Sequence, residues 1–110
     1  MEEHFWVYVT APSHSEAKYI AKTCIEEKLA ACVNLLGQIE SFYWWEEQVE
    51  ESSESAFLFK THHSKLNSLK ERITELHSYE VPCILAIPLS NNSAASYLEW
   101  ITRSVKGDIS

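Results

Sequence analysis

Three short segments of this chain carry large apolar side chains on both faces of an extended backbone, and that restricts what it can fold into. In Phe5-Trp-Val-Tyr-Val-Thr10, Trp6 and Tyr8 lie opposite Phe5, Val7 and Val9. In Ala56-Phe-Leu-Phe-Lys-Thr61, Phe57 and Phe59 lie opposite Ala56 and Leu58, and in Cys83-Ile-Leu-Ala-Ile87, Ile84 and Ala86 lie opposite Leu85 and Ile87. Successive side chains of a strand point to opposite sides, so a sheet with one wet face alternates apolar with polar. These strands do not alternate, and both of their faces need cover. The terminal helix is too short to cover a whole sheet, so the economical cover is another copy of the chain, the plain alternative being a monomer with that helix laid over the second face.

The order of elements follows from periodicity and punctuation. Ala11-Pro12 ends the first strand, and Ser13 followed by Glu16 is a capping-box pattern. Ala17, Ile20, Ala21, Cys24 and Ile25 then form an apolar helical stripe, which predicts a helix over about Ser15 to Lys28. Ala31 to Trp45 reads as a long strand bent near Gly37, the acidic stretch from Glu46 to Ser53 as a polar hairpin tip, and Ala56 to Thr61 as the returning strand. Leu66, Leu69, Ile73 and Leu76 mark a second helix ending near His77. Cys83 to Ile87 is a fourth strand stopped by Pro88, and Asn91-Asn92-Ser93 offers caps to a last helix with Tyr97, Leu98, Ile101 and Val105. The fold class is therefore α+β, a ferredoxin-like βαββαβ sandwich with a C-terminal helix. We read residues 1–110 as one domain with a frayed tail at 105–110.

Charge and cysteine usage narrow the function. Sixteen acidic against nine basic side chains give −7, which repels nucleic-acid phosphate and anionic membrane surfaces. Cys24, Cys32 and Cys83 are odd in number and form no C-x-x-C pair, which fits a reducing compartment. Met1-Glu-Glu-His does not read as a signal peptide, no apolar run reaches the ~20 residues of a membrane span, and the expected location is the cytoplasm. No nucleophile elbow, catalytic-triad string or glycine-rich phosphate loop appears, so we expect no enzyme and no organic cofactor.

Six strings of this sequence resemble the divalent-cation-tolerance (CutA) family. They are Val9-Thr-Ala-Pro12 leading into Glu16-Ala17; Glu27-Lys-Leu-Ala-Ala-Cys-Val-Asn34; Tyr43-Trp-Trp45 followed by Val49-Glu50-Glu51; Lys60-Thr61; His77-Ser-Tyr-Glu-Val-Pro82; and Tyr97-Leu-Glu-Trp100. The resemblance runs from about Trp6 to Ile101 in order and register. It implies a PII-like homotrimer whose long second and third strands cross subunit boundaries, taking part in the response to metal ion. Two places depart from the family pattern: Trp45 is followed by Glu46, Glu47 and Gln48 where a Gly-Lys turn is usual, and Ser78 replaces the proline of His-Pro-Tyr.

The candidate residues divide by chemistry. Thiolate and imidazole suit copper or zinc, and Cys32 and His77 match family positions suggested as copper ligands, so the expected cofactor is Cu(II) or another divalent cation. The plain alternative is that Cys32 is a small buried hydrophobe. Tyr79, Glu80, Lys60 and Trp45 are candidates for lining a cleft between subunits. Tyr43, Trp44, Trp45 and Trp100 are candidate interface anchors. His62-His63 reads as a surface pair, and Glu46, Glu47, Glu50, Glu51 and Glu54 as a solvated acidic tip. A second functional class stays open: a signalling or interaction module that binds a small molecule or an unidentified protein at the same clefts.

Overall fold

The computed structural model describes residues 2–106. Seven elements follow in the order β1 (His4–Ala11), α1 (His14–Glu26), β2 (Cys32–Trp45), β3 (Gln48–His62), α2 (His63–Leu76), β4 (Ile84–Pro88) and α3 (Ala95–Lys106). The four strands form one antiparallel sheet in the order β2-β3-β1-β4. This is the expected ferredoxin-like arrangement, with both early helices on one face and α3 on the other.

Register decides which residues make the core. Val7 faces Phe59 and Val9 faces Phe57 across the β1–β3 ladder. All four are fully buried beneath Ala17, Ile20, Ala21 and Cys24 of α1 and Leu69 and Ile73 of α2. Burying each large side chain contributes about 1.5–3 kcal/mol. Helix α1 starts where Ser13 accepts the Glu16 amide through its hydroxyl (3.1 Å). The second half of the capping box does not form, because the Glu16 carboxylate turns instead to the Ser78 amide (2.9 Å). The helix stops at a Schellman turn, with Lys28 at φ 59 and the Leu29 amide donating to the Cys24 carbonyl (3.0 Å).

The second face of the sheet is only part covered. By alternation, His4, Trp6, Lys60 and Leu58 share it, and α3 lies over one end. There His4 Nε2 meets Thr102 Oγ1 at 2.7 Å, and Lys60 Nζ reaches the Tyr97 hydroxyl at 3.4 Å. Ile101 and Val105 are buried under this contact, while Leu85 and Ile87 on β4 remain 55% and 42% exposed. The terminal-helix solution therefore holds for one end of the face, and the other end stays open.

Several boundaries move from the sequence reading. The hairpin tip is not the whole Glu46–Ser53 stretch: Trp45 pairs with Gln48, so only Glu46 and Glu47 form the turn, and β3 runs through the acidic residues. The ladder continues because cross-strand backbone pairing does not depend on side-chain polarity once the turn is tight. The bend foreseen near Gly37 is a bulge between Leu35 and Gly37, the latter at φ 108. Cys83 precedes β4 rather than belonging to it. Asn91 and Asn92 build the turn before α3, whose first bonds go to the Ala94 carbonyl. Val105 and Lys106, foreseen as part of a frayed tail, close α3 with Val105 buried; residues 107–110 lie outside the described residues.

Candidate functional site

Beyond Gly37 the β2–β3 ribbon leaves the body of the domain and makes the molecule 48 Å long against 27 and 22 Å across. The segment that does this is rich in aromatic residues, which favour paired strands. Phe42 and Trp44 are 64% and 75% exposed, and Tyr43, Trp45 and Val49 are exposed with them. Three of the four residues expected to anchor an interface, Tyr43, Trp44 and Trp45, thus present uncovered ring surface on the ribbon, and the fourth, Trp100, is 38% exposed on α3.

A second cluster forms where β1 ends and the loop before β4 returns. His77 caps α2 and its ring is buried against the sheet. Nε2 donates to the Thr10 carbonyl (2.7 Å), while Nδ1 accepts the Tyr79 amide (3.0 Å). That pair of partners fixes the neutral Nε2–H tautomer. The Glu16 carboxylate waits 3.5 Å from Nδ1. The Tyr79 ring lies 5.0 Å from that of His77, and its hydroxyl donates to Glu54 at 3.5 Å. Burial, and next the Glu54 charge, push the Tyr79 phenol up. Burial also pushes up the Cys83 thiol, with a hydrogen bond to Thr10 opposing it. Glu80 is exposed beside this cluster and Trp45 is far from it, at the ribbon tip.

Glu54 is the member that sequence reasoning missed. Its sequence neighbours group it with the solvated acidic tip, yet it is 9% exposed. Extending β3 back to Gln48 places it opposite Ile39, inside the ladder rather than beyond it. The signal lay in Val49 and the aromatic run Phe42 to Trp45, which pair with each other only if the strand is long. Next to this region two crevices open, of about 290 Å³ along Pro12, Ser13, His14, Gln38 and Ser55, and about 640 Å³ along Gln38, Glu40, Glu51 and Ser52.

Cys32 and His77 do not meet within one chain. Cys32 pairs with Lys60, which pairs with Trp6, whereas His77 binds Thr10, four residues farther along β1. Four steps of about 3.3 Å put ~13 Å between those levels of the sheet. Among the described residues no three His, Cys, Asp or Glu side chains converge on a metal-sized point. Lys60 and Trp100 lie together instead beside Tyr97, with the ammonium 5.5 Å from the Tyr97 ring and the two rings 5.4 Å apart.

The sequence profile of the CutA1 divalent ion tolerance protein family matches residues 5–104. A divalent-cation tolerance protein CutA of Archaeoglobus fulgidus is 43% identical over 103 residues, covering 94% of this chain and 99% of that protein. The chloroplastic protein CutA 1 of rice is 42% identical over 100 residues, covering 91% of this chain and 56% of that longer protein. Among solved structures, the periplasmic divalent cation tolerance protein of A. fulgidus superposes with a TM-score of 0.88 at 43% identity, covering 93% of this chain and 98% of that one. The divalent cation tolerance protein of Thermus thermophilus does so with 0.88 at 40% identity, covering 92% and 97%.

Proposed function

The chain belongs to the CutA1 divalent ion tolerance family, and from that premise we propose that it acts as a homotrimeric binding module for divalent metal, copper foremost, in the response to metal ion. The observation that carries this reading is the uncovered aromatic ribbon, together with the open end of the sheet at Leu85 and Ile87. Apolar surface of this extent on a small domain is ordinarily the half of an interface. Two further copies supply cover for both surfaces and place ligand residues from different chains side by side. Cys32, half-buried at the start of β2 with a free thiol, supplies the soft ligand. The residues completing its set come from clefts between copies, because among the described residues one chain does not bring three ligand side chains together; His77, with both nitrogens engaged, joins only if its ring leaves Thr10. Three free cysteines suit a reducing compartment, and on that ground we read the protein as cytoplasmic; among the described residues no helix is long and apolar enough to cross a membrane.

Sedimentation at micromolar concentration tests the assembly: a species near three times 12.7 kDa is expected, and a lone 12.7 kDa species refutes it. Calorimetric titration with Cu(II) tests the ligand. Cys32→Ser is expected to weaken saturable binding at least tenfold, as loss of a direct thiolate donor should exceed the ~10-fold seen for outer-shell changes. Binding unchanged by that substitution removes Cys32 from the site.

The two crevices that meet at Gln38 favour a second reading, an interaction module for a small organic molecule held in a concave site. A thermal-shift screen of nucleotides and metabolites with chelator present separates the two. Strong stabilisation by an organic compound in that screen supports the second, and stabilisation only by divalent metal added to a chelator-free sample supports the first.

A further inference from the structure

Four elements meet at one corner of the domain, and three imidazoles gather there. His4 on β1 pairs in register with His62 at the end of β3, and their rings stand edge to face at 5.2 Å. His63, the first residue of α2, lies 6.3 Å from His62. From α3, Thr102 donates to the Leu98 carbonyl and so accepts His4 Nε2–H.

His62 occupies the cap position of α2. Its backbone is extended (φ −101, ψ 152), and Nδ1 accepts the Ser64 amide at 3.0 Å. Caps are ordinarily Ser, Thr, Asp or Asn, whose oxygens accept at every physiological pH. An imidazole accepts only while neutral, because the proton it gains sits on the capping lone pair. The Ser64 hydroxyl, 2.9 Å from Nδ1, then offers that proton a new acceptor, while the Ser64 amide is left with none.

We propose that His62 is a proton-operated cap, which holds the first turn of α2 as a neutral ring and on protonation releases it, loosening the corner where β1, β3, α2 and α3 meet. The surroundings work in the same direction. A cation at a helix N-terminus opposes the helix dipole. Among the described residues the charged and titratable groups facing His62 are His4 from β1, His63 from α2, Lys106 from α3 and Glu3 just before β1, one of which is acidic. Burial first, then His4 and Lys106, hold the His62 ring below the ordinary histidine value of 6.5. The unfolded chain therefore takes up the proton first. The cap's stability is present above pH 6.5 and is lost as pH falls from there through the lowered value of the folded ring.

Amide exchange and ring titration by NMR on the intact chain test this. The Ser64 protection factor is expected to fall about fivefold on acidification, the size of a lost N-cap, with a midpoint that follows the His62 ring. His62→Asn, whose amide oxygen caps at any pH, should keep Ser64 protected throughout. Equal loss of protection in that variant, or protection constant through the His62 titration, overturns the proposal. Should His62→Asn fail to fold, Lys106→Gln, an exposed change, is expected to raise the His62 midpoint. An unmoved midpoint, or one at or above 6.5 in the unaltered chain, overturns it equally.

Discussion

Cys24 shows how completely position decides the chemistry of a side chain. Its thiol lies on the buried stripe of α1, fully enclosed by the core. Burial first, and the Glu27 carboxylate next, push its pKa up to about 12. The thiolate is the nucleophile, so at about pH 8 almost none exists at this site. Native protein treated with iodoacetamide is expected to leave Cys24 unmodified, as mass spectrometry of the peptides reads directly. Denaturant should open it to full labelling, and labelling of Cys24 in folded protein would contradict its place in the core. The place of Cys24 on this stripe is legible in the sequence, because a residue at helical spacing with Ala17, Ile20 and Ala21 has one face to occupy. His62 was not legible in that way: an acceptor lone pair aimed at an amide two residues on leaves no periodic mark.

At the scale of elements, the β2–β3 turn carries the clearest local strain. Trp45 pairs with Gln48, so the hairpin closes in two residues, and Glu46 and Glu47 stand at φ 48 and φ 67. Turns of this hand strongly prefer Asn-Gly, because a side chain in the left-handed region costs about 1–2 kcal/mol. Two glutamates accept that cost and add like charges. Replacing Glu47→Gly should stabilise the chain by about 1 kcal/mol once the entropy of glycine is set against the relief. A urea transition with unchanged slope and a raised midpoint would record it; an unchanged midpoint would mean that the turn is not strained. The strands, helices and their order were legible because apolar periodicity reports burial. The ribbon's length was not, since Glu50, Glu51 and Ser52 look like loop residues although their backbones complete a ladder. The Glu54 cluster was hidden for the same reason.

The whole molecule sets an aromatic ribbon among carboxylates. Glu40, Glu46, Glu47, Glu50 and Glu51 are exposed alongside Phe42, Trp44 and Trp45, on a chain that carries −7 in all. Two influences on self-association therefore oppose each other. Burial of the rings contributes about 25 cal/mol per Å² and changes little with dilute salt. Repulsion between identical acidic chains reaches about 30 Å at 0.01 M ionic strength and only about 10 Å at 0.1 M. Assembly of this chain with itself should accordingly tighten as salt rises over that range, with the dissociation constant in sedimentation falling severalfold. A basic partner seated on the same ribbon would behave in the opposite sense, because screening weakens attraction between unlike charges. Salt titration of the purified chain thus distinguishes cover by its own copies from cover by a complementary protein. Association that weakens as salt is added would remove the homotrimer as the occupant of the ribbon.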